Sequence, residues 1–189
     1  MAASADDATR KGGRAMSAPL VIMKGIKPGK LKGDMRLPFL NAMRKMAREI
    51  TADFQKTTAT WEHKPKFEQQ VSLTGPGPVV LVGTDDLIYK FVDEGTKEHD
   101  IFAGYYTGKS NKRVLVFPGT FTAKTTPGVI GSRAGSKGGE SVKRPFVHHP
   151  GTKARRFTEV IKGKWEKRFK SDMEDIMKQA ARDSGHGVK

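Results

Sequence analysis

Two long stretches of the chain carry apolar residues at three- and four-residue steps. Leu40, Met43, Ala47, Ile50 and Phe54 form the first stripe, which predicts an amphipathic helix over about residues 37–56. Arg44, Lys45, Arg48 and Glu49 fall on its other faces, and Pro38 suits a first turn, where a missing N–H costs nothing. The second stripe is Phe157, Val160, Ile161, Trp165, Phe169, Met173, Ile176 and Met177, predicting a long helix over about 153–181. Thr152 is expected as its N-cap. Gly163 weakens this helix by about 1 kcal/mol relative to alanine without stopping it.

Between the helices the pattern changes to strand signals. Phe67, Gln69, Val71 and Leu73 alternate with Glu68, Gln70, Ser72 and Thr74. Gly75-Pro76-Gly77-Pro78 must turn or bulge. The apolar runs at 79–84 and 87–92, separated by a turn at Asp85-Asp86, predict consecutive strands of an antiparallel meander. Further strands are expected at 20–23, at 114–118 as a buried strand, and at 146–148. Residues 103–113, with aromatic and basic tips, predict a protruding loop, and the glycine-, serine- and lysine-rich 131–139 predict a flexible linker.

Helix, strands, helix is an α+β order: an antiparallel β-sheet flanked by an N-terminal helix and a long C-terminal helix, with extended loops and an arm. The expected division is an N-terminal arm at 1–33 with a possible short strand, one domain at 34–183 and a frayed tail at 184–189.

Composition narrows the function classes. The chain has 189 residues, a hydrophobic fraction of only 36%, 29% charged residues and 21 glycines, so part of it is expected to lie outside the core. Its net charge of +15 favours an anionic partner. No helix-turn-helix, zinc-finger or aromatic RNA-binding signature accompanies that charge. The absence of cysteine excludes disulfides, thiolate catalysis and cysteine-bound zinc. No run of about 18 apolar residues exists to predict a transmembrane helix, and the first residues do not read as a secretory signal.

Candidate chemistry is sparse. His148 and His149 are adjacent on a strand and point to opposite faces, which does not suit one shared metal. Asp93, Glu94 and His99 can be drawn as an acid–base set and Asp85 with Asp86 as a carboxylate pair, but acids beside glycine are commonly turn formers. No phosphate-binding loop is present. The expected N-terminus of the last helix, with Lys153, Arg155 and Arg156, suits an anion, a phosphate or a neighbour's carboxylate. No cofactor or metal is expected. Candidate contact residues for a partner or a second subunit are Tyr105, Tyr106, Lys109, Lys112, Arg113, Arg133, Lys137, Lys153, Arg155 and Arg156.

Two short segments carry a family resemblance: Val92-Asp93-Glu94-Gly95-Thr96 with His99 and Ile101, and His149-Pro150-Gly151-Thr152 followed by Phe157. Together with Leu115-Val116-Phe117-Pro118, and in this order over about residues 35–180, they resemble the head–tail joining and tail-completion (neck) proteins of long-tailed bacteriophages, the gene-product-ten-like tail-component family. The chain departs from that pattern in its longer basic arm and in Arg155-Arg156, where a proline or neutral residue is more usual. The resemblance implies a structural virion protein without enzyme activity. It implies a ring, often of six copies, at the head–tail junction or tail terminus, assembled in the host cytoplasm. Partners would be further copies, neighbouring connector or head-completion proteins and tail-tube or tail-terminator proteins, with packaged DNA close by and no membrane. Gly95, Thr96, His99, His149, Pro150, Gly151 and Thr152 would then be structural corners, and Phe157 and Trp165 would anchor the last helix on the sheet. Two other readings stay open: a basic nucleic-acid-binding protein, and a small metal-dependent hydrolase using Asp85, Asp86, Asp93, Glu94 or His99.

Overall fold

The computed structural model describes residues 19–24, 33–73, 78–103 and 114–183. The expected arm at 1–18, the tail at 184–189 and most of the 103–113 loop, with Tyr105, Tyr106, Lys109, Lys112 and Arg113, lie outside the described residues.

The first helix, α1, spans Gly33–Thr57. It starts ahead of the expected position, so Pro38 lies inside it, with no N–H to offer the carbonyl of residue 34. Its buried stripe is Phe39, Met43, Met46, Ala47, Ile50 and Phe54, while Leu40 is only half-buried. This stripe covers a three-stranded antiparallel sheet of β1 (Pro19–Lys24), β2 (Glu68–Ser72) and β3 (Val79–Gly83). The order is β1-β3-β2, with Val80 opposite Val71 and Val82 opposite Gln69. The near-continuous apolar run of β3 suits its central place, and its alternating Val80 and Val82 are fully buried.

The meander ends at β3. Residues 87–92, expected as a strand, belong to a helix, α2 (Leu87–Glu94). The deciding residue is Asp86, whose carboxylate accepts the N–H of Tyr89 at 2.7 Å and caps the first turn. The helical spacing buries Tyr89 and Asp93 together and turns Leu87, Ile88 and Phe91 to solvent.

Two separate two-stranded ladders follow. β4 (His99–Phe102) pairs with β7 (Phe146–His149), and β5 (Leu115–Thr122) pairs with β6 (Ser136–Arg144). The region expected as a linker therefore supplies Lys137, Gly138 and Gly139 to a ladder, with a bulge between Pro118 and Thr120 absorbing the irregularity. The ladder partner overrides the local preference of glycine. Nor is β5 the buried strand its apolar run suggests, because Val116 and Phe121 stand exposed.

The last helix, α3, spans Phe157–Asp183 and begins well after Thr152, which is not its N-cap. It buries Phe157, Ile161, Trp165, Phe169 and Ala180, and packs chiefly on α1 and less on β1. Phe157 and Trp165 thus anchor α3 mainly to helix and aromatic core. Tyr89 sits at the centre of that core, its ring 5.1 Å from Phe67, 6.0 Å from Phe157 and 6.2 Å from Phe54 and Trp61. The fold is α+β, as the sequence pattern predicts, with the strands of the described residues split among three sheets.

Candidate functional site at a glycine-cornered joint

The two segments that carry the family resemblance meet. Thr96 donates its N–H to the Thr152 carbonyl at 3.0 Å, and Thr152 returns its own to the Thr96 carbonyl at 3.2 Å and to Thr96 Oγ1 at 2.9 Å. The chain can approach itself this closely because both neighbours are glycine. Gly95 has φ +80°, and a Cβ there would meet the Thr152 carbonyl oxygen at 2.6 Å and Ala154 N at 2.9 Å. Gly151 has φ +86°, and a Cβ would collide with the Thr96 carbonyl oxygen and lie 2.9 Å from the Lys97 carbonyl carbon.

The ladder continues from this joint into β4 and β7. His99 lies opposite His149, their rings 5.1 Å apart. Nδ1–H of His99 donates to the Lys97 carbonyl at 2.9 Å, whereas Nδ1 of His149 accepts the Gly151 N–H at 3.0 Å. The two imidazoles therefore carry opposite tautomers when neutral. His148 faces outward and bonds Asp100 at 2.8 Å. Thus His148 and His149 do split between the two faces of the strand. Among the described residues no group of three or more histidines and carboxylates could hold a metal ion.

The acids drawn as an acid–base set do not gather around these imidazoles. Asp93 is buried, and its carboxylate accepts the Thr158 N–H at 3.2 Å and the Thr158 hydroxyl. The N–H groups of Arg155 and Arg156 in turn donate to the carbonyl of Asp93, at 3.1 and 3.0 Å, and that of Arg155 also to Val92. The positive end of α3, expected to await an anion, is occupied by a carboxylate of the same chain. Asp86, read as half of a carboxylate pair, is the α2 cap. Burial pushes its carboxyl up, but the Tyr89 N–H and the His63 imidazole bonded to it outweigh this and hold it below its ordinary value.

The basic candidates scatter. Arg133 bonds the Ala123 carbonyl at 3.2 Å, and Arg156 reaches Glu159 at 3.7 Å along its own helix. Arg155 is half-buried, while Lys137 and Lys153 are exposed.

One polar centre escapes the periodicity argument. Asp53 is buried in α1 between Ile50 and Phe54. Its carboxylate binds Lys164 Nζ at 2.5 Å, Lys56 Nζ at 3.0 Å and Trp165 Nε1 at 3.0 Å, tying α3 to α1. A carboxylate on the apolar arc of a helix is the sequence signal that marks it. Among the described residues, no helix is long and apolar enough to cross a membrane. Compared with known protein families, with curated proteins and with solved structures, this chain matches none.

Proposed function

We propose that this chain is a structural virion protein of a tailed bacteriophage, forming an oligomeric ring at the head–tail junction or tail terminus and serving tail completion and head–tail joining. One observation carries the reading. The Val-Asp-Glu-Gly-Thr and His-Pro-Gly-Thr segments behind the resemblance form a single joint around the Thr96–Thr152 pair. The polar groups there are spent on backbone corners and helix ends: Asp93 on Thr158, His99 on Lys97, His149 on Gly151. Such a joint fixes the angle between α2, the β4–β7 ladder and α3. A subunit that must present two faces at a set angle to its neighbours needs a fixed angle of this kind.

Cryo-electron microscopy of purified particles tests it. Density for this fold, repeated around the tail axis at the neck or tail end, is the expected result. Particles complete in every ring without this chain would overturn it. The net charge of +15 supports a second reading, nucleic-acid binding. That reading predicts binding to a generic duplex by the purified chain that weakens steeply as salt rises.

A further inference from the structure

A groove of about 400 Å³ runs between α1 and α3. Its floor is apolar, with Met46, Trp165 and Ile176, and its rim carries four carboxylates, Glu49, Asp172, Asp175 and Asp183, against two cations, Lys45 and Arg168. Asp172 is paired with Arg168 at 3.3 Å, but neither Glu49 nor Asp175 has a cation within ion-pair distance among the described residues. Carboxylates without a cation partner among the described residues, outnumbering the cations around an apolar groove, are unexpected in a chain with 15 excess positive charges. They favour a basic occupant with an apolar anchor.

The same chain carries such an element elsewhere. The β5–β6 ladder packs chiefly on itself, and a two-stranded ribbon is marginal without further cover. Phe121 is 68% exposed and lies directly opposite Lys137 on the ladder, so an aromatic ring and an ammonium group share one face. The groove has room for two such side chains.

We propose that the Phe121–Lys137 pair of one copy docks in the α1–α3 groove of the next, Phe121 on the apolar floor and Lys137 against Glu49 and Asp175. The occupant is a second copy because donor and acceptor surfaces are different patches of one chain. Contact between unlike patches is head-to-tail and closes into a ring when its rotation permits. The inference deepens the ring reading and rests on it for that closure alone.

The cysteine-free chain permits a clean test. Full-length Asp175→Cys and Lys137→Cys chains are mixed under mild oxidation. The expected result is a mixed disulfide dimer forming about tenfold faster than the dimers of either variant alone. The mixed rate should fall toward that of the separate variants when Phe121→Ser is added to the Lys137→Cys chain. A rate no greater than with Lys170→Cys in place of Asp175→Cys overturns the proposal. So does preferred coupling of Asp175→Cys to Ile88→Cys, which would give the groove to the exposed face of α2. Intramolecular closure in an Arg14→Cys, Asp175→Cys chain would give it to the chain's own N-terminal segment and equally overturn it. These outcomes are independent of the particle experiment: a ring built through other contacts leaves the function standing, and a coupled dimer absent from virions leaves the contact standing.

Discussion

Asp93, at the end of α2, holds the first turn of α3 through Thr158. Its carboxylate takes the Thr158 N–H at 3.2 Å together with the side-chain hydroxyl, while the backbone N–H groups of Arg155 and Arg156 close the last carbonyls of α2. Each helix end thus satisfies the unpaired groups of the other, which fixes the angle between them without a covalent link. Asp93→Ala should cost about 2 kcal/mol, combining a lost cap with stranded donors. Urea denaturation followed by circular dichroism reads this directly. Asp93→Asn, which keeps an acceptor, should lose less. A loss too small to measure in Asp93→Ala would mean that water replaces the carboxylate at no cost.

The two glycines of the joint cannot change, whereas Gly163 can. Gly95→Ala and Gly151→Ala each force a left-handed or extended positive-φ backbone on alanine and drive Cβ into main-chain atoms of the opposing segment. Each should cost more than about 2 kcal/mol, or open the Thr96–Thr152 pair. Gly163 lies within α3, and a Cβ there meets nothing within 4 Å. Gly163→Ala should therefore stabilise the fold by up to about 1 kcal/mol. Thermal melts of the three variants give the comparison, and a stabilised Gly151→Ala would contradict the close approach.

The α1 and α3 stripes could be read from sequence because each repeats over several turns, and burial of one face is what the repeat encodes. The run Leu87–Val92 could not, since it is apolar enough for a strand and too short for its period to decide. Asp86 decides it, and a capping aspartate looks the same in sequence as a turn aspartate. The sequence pattern starts α3 too early for a related reason: Thr152 resembles a cap but is bonded across the joint to Thr96, and the residue that stabilises the first turn is Asp93, distant in sequence. The β5–β6 ladder depends on a partner strand that local composition does not announce. The joint itself was partly legible, because Gly95 and Gly151 stand out as corners, but not that the two corners are one contact.

Asp53 makes the fold sensitive to acid. Burial pushes its carboxyl up, yet the hydrogen bonds from Lys164, Lys56 and Trp165 outweigh this and hold it below the ordinary value of 3.8. Asp86 is shifted the same way. A lowered folded value means that the unfolded chain binds protons more readily. The stabilisation is complete above the unfolded value and drains away as pH falls through the folded ones. Stability should therefore drop below about pH 4, and the drop should be shallower in Asp53→Asn. At neutral pH the Asp53→Ala change should cost roughly 3 kcal/mol, because Trp165 Nε1 and Lys164 lose their shared acceptor. Denaturant midpoints measured at neutral pH and across the acid range check both statements.

Tyr89 makes the opposite prediction for a buried polar group. Its ring organises the aromatic core, but among the described residues its buried hydroxyl has no hydrogen-bond partner at bonding geometry. The nearest polar neighbour is Thr57, whose hydroxyl donates to the Phe54 carbonyl at 2.6 Å and so faces the phenol as an acceptor alone. Burial pushes the phenol well above its ordinary value of 10, so it is neutral at neutral pH. Tyr89→Phe removes the unsatisfied oxygen and keeps the ring contacts with Phe54, Phe67, Trp61 and Phe157. It should be neutral or stabilising by up to about 1 kcal/mol, whereas Tyr89→Ala should cost about 3–5 kcal/mol through the cavity it leaves. A Tyr89→Phe chain destabilised by more than about 1 kcal/mol would show that the hydroxyl is bonded in solution, to Thr57 or to an ordered water.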